Sequence, residues 1–327
     1  MLVGHDRVVN FLKKVLRMKA GIHGFLFFGP DQVGKRTFAL AFAKGLLCDV
    51  SEFGGCGACR NCKEFETLQG SHRDLFVATP NEEEPYGINQ VSRQIKTFLS
   101  SRPQLSEKQV VIIDQADELT DEAQNALLKI FEEPPLDAVL ILVSSKPSRI
   151  FETIRSRVVS VAFRLVNQKE MTAFVSAKAK RATHSPSDAE ARKTDAEVRK
   201  IVKLSLGRPG RATRFITEPK EVKDAIKLLE TLRTFPREKL PERFLFAKEI
   251  SQRHAAVLPL WHLVIRDHIL SQLGLEKLLV TDGVARPVMP LKDAIMLLRR
   301  AINASLTLEN TNANPRLILE NLLLTIP

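Results

Sequence analysis

At 327 residues, with 44% hydrophobic and 27% charged side chains, the chain is too long for one ordinary domain and has the composition of a soluble globular protein. That balance excludes disorder and fibrous repeats. The longest charge-free apolar stretch of the C-terminal half, AAVLPLWHLVI, stops at Arg266 and is too short to span a bilayer. The 49 Lys and Arg against 38 Asp and Glu leave +11, which fits a polyanionic partner and equally a merely basic surface. With one Trp and one Tyr, aromatic stacking on single strands is not favoured as the main mode of recognition. A charge at Asp6 interrupts MLVGHDRVV before a signal-peptide core forms, so export is not expected.

The helical spacing of Val8, Val9, Phe11, Leu12, Val15 and Leu16 predicts a first helix over 6–18. The apolar run HGFLFF then leads into a glycine-bounded loop and a helix carrying Phe38, Leu40, Phe42 and Leu46. Strand, loop and helix in that order are what a phosphate loop requires. Gly29-Pro30-Asp31-Gln32-Val33-Gly34-Lys35-Arg36-Thr37 matches G-x4-G-K, whose backbone N–H groups and lysine meet phosphate oxygens. The hydroxyl that should follow the lysine to ligate Mg2+ is replaced by Arg36. Thr37 lies about 100° further round the helix and does not simply substitute for it. The loop can still take phosphate, but its metal site is compromised.

All four cysteines fall next, as Cys48-x7-Cys56-x2-Cys59-x2-Cys62. A disulfide framework would scatter them through a small secreted domain, not gather them in one loop of a large chain. Four thiolates so placed suit a closed tetrahedral Zn2+ site, structural because no ligand position stays open for water. Gly54, Gly55 and Gly57 let the backbone turn around such an ion. An iron–sulfur cluster and reduced thiols without metal are the alternatives.

Gln109-Val-Val-Ile-Ile-Asp114 is an apolar strand ending in an acid, and apolarity on both faces makes it a central parallel strand. It has the look of a Walker B strand, whose acid holds Mg2+. A glutamate that polarises the attacking water would come next, and here it is Gln115. Losing that general base typically costs about 10²–10⁴-fold in rate. Intrinsic ATP hydrolysis is therefore not expected. Asp117 and Glu118 read as helix-capping or surface acids. Thr120 caps the helix DEAQNALLKIFEE, which Pro134 and Pro135 stop. A third apolar strand, Val139 to Val143, ends in Ser144-Ser145. These alternating elements predict an α/β domain with a doubly wound parallel sheet over residues 1–165.

Beyond Asn167 the pattern turns helical, over 168–182, 195–205 and from about 220 onward. The charged stretch 177–200, with Ser185-Pro186-Ser187 as a loop signal, reads as a solvated helix pair and linker. Leu228, Leu229, Leu232, Leu258, Leu260, Leu263, Ile265, Leu297, Leu298 and Ile302 form apolar stripes expected in a helical-bundle core. The final LILENLLLTI is apolar enough for bundle core or an oligomer surface.

Several of these segments together resemble the bacterial clamp-loader subunits of the AAA+ class, most closely the δ′ (delta-prime) family of DNA polymerase III. The resemblance rests on the cysteine cluster after the phosphate-loop helix and on DQADELTDEAQNALLKIFEEPP. Thr153-Ile154-Arg155-Ser156-Arg157, Gly207-Arg208-Pro209-Gly210-Arg211-Ala212 and Asn314-Pro315-Arg316-Leu317 add to it. It implies a RecA-like AAA+ P-loop domain (1–165, with the zinc module at 48–62 inserted), a helical lid (166–217) and a helical collar for oligomerisation (218–327). Ser156-Arg157 resembles the Ser-Arg-Cys motif, with Val158 in the cysteine's place, and Ser144 or Ser145 falls at the sensor-1 position. By its own context Arg157 is a surface cation on a strand edge; the resemblance makes it an arginine finger reaching a neighbour's ATP.

What the resemblance implies is a cytoplasmic, non-hydrolysing subunit of a hetero-pentamer with γ/τ and δ subunits, which loads a sliding clamp onto primed DNA. A degenerate nucleotide site (Gly29, Gly34, Lys35, Thr37, Asp114), a structural Zn2+ on Cys48, Cys56, Cys59 and Cys62, and Arg157 acting in trans complete the expectation. ATP binding without hydrolysis is compatible with it, and no membrane contact is expected. An active γ/τ-like motor and a separate P-loop DNA-repair ATPase are the alternatives.

Overall fold

The computed structural model describes residues 2–18, 21–80, 86–87, 93–135, 137–182, 195–234, 240–252, 254–276, 279, 289–311 and 313–324. They form two compact units: one of residues 1–174 with 207–210, the other of 175–206 with 211–327.

The first unit is built on five parallel strands, β1 (Gly24–Phe28), β2 (Leu75–Ala78), β3 (Gln109–Ile113), β4 (Ala138–Ser144) and β5 (Val159–Ala162), in the order β2-β3-β4-β1-β5. Helix α1 (Asp6–Met18) precedes β1, and between the strands run α2 (Lys35–Leu47), α3 (Arg60–Thr67), α4 (Gln94–Leu99), α5 (Asp121–Glu132) and the single-turn α6 (Glu152–Arg155). Side chains of a strand alternate between faces, and the core divides accordingly. Phe25, Phe27, Val110, Ile112, Val139 and Ile141 pack with Leu12, Leu16, Phe38, Phe42 and Phe65 of the first three helices. Leu26, Val111, Ile113, Leu140 and Leu142 pack on the other side with Ile95, Leu99, Leu127, Ile130 and Ile154. The result is a three-layer α/β arrangement, a parallel sheet with helices on both faces, with β3 and β4 buried along their whole length.

The expected α1 and α5 are in place, and Thr120 Oγ1 accepts the Ala123 N–H at 3.3 Å to start α5. Strands β2 and β5, and helices α3, α4 and α6, go beyond the elements that the sequence pattern predicts.

The second unit is helical among its described residues. It holds most of α7 (Gln168–Ala182), α8 (Asp195–Ser205), most of α9 (Pro209–Thr217), α10 (Pro219–Thr234), α11 (Leu240–Ser251), α12 (His254–Gln272), α13 (Leu291–Asn310) and α14 (Pro315–Leu324). Leu229, Leu232, Leu258, Leu260, Leu263, Ile265 and Leu297 are buried, as their spacing predicts. Trp261, the chain's one tryptophan, is buried among them. Ile302 departs from expectation and is 42% exposed. The inward stripe of α13 is Ala294, Leu297, Ala301, Ala304 and Leu308, and a residue next to Ala301 is turned about 100° away from that stripe. The predicted loop signal Ser185-Pro186-Ser187 lies outside the described residues. Among the described residues no helix is long and apolar enough to cross a membrane.

Candidate functional site

The phosphate loop links the C-terminal end of β1 to the N-terminus of α2, beside the C-terminal end of β3 two strands away. In parallel sheets this edge is where ligands bind. Gly29, Gln32 and Gly34 all hold positive φ, as a loop wrapping an anion requires. Lys35 is buried, and its Nζ donates to the carbonyls of the loop itself, Gly29 O at 2.7 Å and Pro30 O at 2.8 Å. Burial pulls its ammonium below the ordinary lysine pKa, opposed by the charges of Asp31, Asp117 and Asp114. The Gly210 N–H, at the start of α9, donates to Gln32 O at 2.8 Å. A Cβ at Gly210 would lie 3.0 Å from that carbonyl oxygen, so the close approach depends on glycine.

Asp114 closes β3 and is buried. The Arg36 guanidinium stands beside it, Nη1 to Oδ2 3.4 Å, while Oδ1 accepts the Gln115 N–H at 3.1 Å. Burial pushes the Asp114 carboxyl up, and Arg36 is the leading influence against that shift. Gln115 is exposed with φ 48°, and Thr37 is exposed on α2. The chain's single tyrosine, Tyr86, is buried within electrostatic range of Asp114 and Arg36, and its hydroxyl has no partner among the described residues.

Asp117 corrects the sequence reading. It is neither a surface acid nor a cap: it is buried and accepts the Ser145 N–H at 2.9 Å and the Ser145 hydroxyl at 3.3 Å. The carboxylate thereby ties the end of β3 to the end of β4. Glu118 is exposed as expected. Ser144 is the last residue of β4, and its hydroxyl accepts the Lys146 N–H at 3.1 Å.

The second cluster lies at the far end of α2, roughly 20 Å from the phosphate loop for a helix of this length. There Cys48, Cys56, Cys59 and Cys62 bring their sulfurs within 4.8 Å of one another, with Cys56–Cys62 at 4.0 Å and Cys48–Cys59 at 3.9 Å. A tetrahedral ion with metal–sulfur bonds of about 2.3 Å needs sulfur–sulfur edges of about 3.8 Å. The N–H groups of Cys56, Cys59 and Cys62 each donate to a neighbouring ligand sulfur at 3.4 Å, stabilising negative charge there. In the metal-free thiols, the N–H groups of Ala58 and Cys59 draw Cys56 down to about 6, and burial pushes Cys62 up to about 12. A cation lets all four ionise together. Gly55, at φ 82°, would place a Cβ 2.7 Å from Cys62 Sγ, so the turn leaves no room for a side chain beside the sulfurs. Four soft donors with no place left open fit a closed metal site.

Sequence reasoning missed the polar network behind this cage. Asn61 Nδ2 donates to Asp49 Oδ1 at 2.7 Å, and Asn61 Oδ1 lies 3.1 Å from His72 Nε2. Because His72 Nδ1 accepts the Asp74 N–H at 3.0 Å, the ring proton sits on Nε2 and donates to Asn61. Fully buried Asp74 accepts three backbone N–H groups, from Gln104, Leu105 and Ser106, and the Ser106 hydroxyl. Each residue stands alone in the sequence as an ordinary polar side chain, so no spacing signal marks the group.

Arg157 is exposed in the turn between α6 and β5. Its Nη1 donates to Thr153 O at 2.9 Å, and its Nη2 meets Glu132 Oε1 at 3.3 Å. Val159 of β5 pairs with Phe25 of β1, so Arg157 lies at the N-terminal rim of the sheet. At about 3.3 Å per residue that is roughly 20 Å from its own phosphate loop. Arg155 ends α6, so an extended-strand alternation does not relate the two arginines.

The structure thus gathers Gly29, Gly34, Lys35 and Asp114 at one edge and the four cysteines at another, and keeps Arg157 apart from the phosphate loop. A DNA polymerase III subunit delta′ from Pseudomonas aeruginosa is 41% identical over 142 residues, 43% of this chain and 42% of that protein. A protein of the same name from Bacillus subtilis is 33% identical over 166 residues, 50% of this chain and 48% of its own. A DNA polymerase III subunit gamma/tau from Mycobacterium tuberculosis is 30% identical over 175 residues, 53% of this chain and 30% of its own. The chain thus spans just under half the length of its delta′ relatives. The profile of the family described as "DNA polymerase III, delta subunit" matches residues 4–167, half of the chain, and the chain belongs to that family.

Proposed function

We propose that this chain is the δ′-type subunit of a DNA polymerase III clamp loader, a non-hydrolysing member that lends Arg157 to the ATP held by a neighbouring motor subunit. The observation that carries this reading is the position of Arg157, exposed on the sheet rim opposite its own phosphate loop. Its contact with Glu132 joins two exposed side chains, worth at most about 1 kcal/mol, so a polyphosphate draws the guanidinium away at little cost. Phosphoryl transfer needs positive charge at the γ-phosphate, and a planar, permanently charged guanidinium supplies it. Arg36 beside Asp114 and Gln115 in place of a general base support a chain that does not hydrolyse ATP itself. The helical unit serves as lid and collar, through which γ/τ and δ subunits assemble with this chain to place a sliding clamp on primed DNA. The four cysteines hold one structural Zn2+, which fixes the loop at the end of α2 and takes no part in chemistry.

Reconstituting the loader with Arg157→Ala tests the reading. Assembly and metal content stay intact, and clamp-stimulated ATP turnover falls by about 10³-fold, the lower end known for trans-acting arginines. Unchanged turnover and clamp loading would remove Arg157 from the mechanism. Steady turnover by the isolated wild-type chain, abolished by Lys35→Ala, would favour the motor reading instead.

A further inference from the structure

An AAA+ phosphate loop implies a divalent cation between the hydroxyl after its lysine and the acid that closes β3. The residues present here do not fit one. The position after Lys35 is Arg36, and the hydroxyl of Thr37 is displaced about 100° round α2. Both oxygens of Asp114 are already engaged, Oδ2 by the Arg36 guanidinium at 3.4 Å and Oδ1 by the Gln115 N–H at 3.1 Å. Lys35 is committed to the carbonyls of Gly29 and Pro30, which leaves Arg36 as the cation in contact with Asp114. The Arg36 side chain is 53% exposed and that of Asp114 10%, so the carboxylate is withdrawn from solvent while the guanidinium in contact with it still reaches water. Tyr86 is buried nearby, within range of both charges, and a buried surrounding strengthens their attraction. Asp117, the other buried acid of this edge, is held by Ser145.

We infer that the Arg36 guanidinium is a resident counterion that occupies the place of the divalent cation at Asp114, so this phosphate loop is built to work without a metal. Any polyphosphate that enters meets Lys35 and Arg36 in place of Lys35 and Mg2+. A site organised in this way discriminates against the metal complex of a nucleotide, in which the ion and the guanidinium would compete for one carboxylate. The inference adds to the non-hydrolysing reading a reason that lies in a single ion pair. The two fail separately, because Arg157 is tested in the assembled loader and the ion pair in the isolated chain.

The test uses Mn2+ as the probe, followed by its electron paramagnetic resonance in the full chain with its cysteines saturated with Zn2+, with and without ATP. Only Mn2+ lost on Asp114→Asn is counted. Wild type binds none, and Arg36→Ser in the presence of ATP gains about one ion per chain. Arg36→Gln, which keeps the length of the side chain without its charge, provides a second variant should the serine form fold poorly. An Asp114-dependent Mn2+ in the wild type overturns the inference. So does a failure of both folded variants to gain one, since Arg36 would then not be what keeps the ion out.

Discussion

Asp74 shows how much of this fold hangs on a side chain far from any phosphate chemistry. Its carboxylate is fully buried and accepts three consecutive N–H groups of the loop before β3, plus a hydroxyl. Those donors hold the carboxyl below its ordinary pKa even though burial works the other way. A depressed folded value means stability that is present above the unfolded carboxylate pKa. It is lost as pH falls below that value and through the folded one. Asp74→Ala leaves several buried donors without an acceptor and lowers stability by about 3 kcal/mol at neutral pH. Urea unfolding at pH values descending through the carboxylate range is expected to show a steeper loss for wild type than for Asp74→Asn. Equal slopes would mean that Asp74 is not ionised in the fold.

The cysteine cage depends on the two helices that bracket it, because Cys48 follows the last turn of α2 and Cys59 is the cap that starts α3. Cys62→Ser is expected to lose the metal, by elemental analysis, and to speed proteolytic cleavage within 48–62 while β1, β3 and β4 stay protected. Gly55→Ala is expected to weaken metal retention without removing a ligand, since its Cβ would press on Cys62 Sγ. Full zinc occupancy in both variants would refute the four-sulfur site. How much of this was legible in the sequence follows from length and burial. Strands β3 and β4 are buried throughout, so their apolar runs announced them. The four-residue edge strands β2 and β5 are only partly buried, and LFVA and VSVA are too short for an apolar run or period to stand out. The cysteine spacing and the phosphate-loop glycines were readable because their chemistry fixes residue type. The bonds of Asp117 and of the Asp74 network were not, because each pairs a common polar side chain with backbone or hydroxyl groups about 30 residues away.

Across the whole chain, the phosphate loop and Asp114 sit at the C-terminal edge of the sheet, while Arg157 and the cysteine cage lie toward the opposite edge. Chemistry at one edge can therefore be altered without dismantling the other. Chelating the metal is expected to loosen the loop after α2 and leave the emission of Trp261 unchanged, because that indole is buried in the helical unit. A shift of that emission on metal removal would show that the two units do not respond separately. Trp261 is buried in the helical unit and Tyr86 in the sheet-bearing one. Each is the only residue of its kind in the chain, and they lie in different units. Nature has in effect labelled the molecule for spectroscopy: indole fluorescence excited where phenol is dark reads the helical unit alone, with no dye or engineered probe attached.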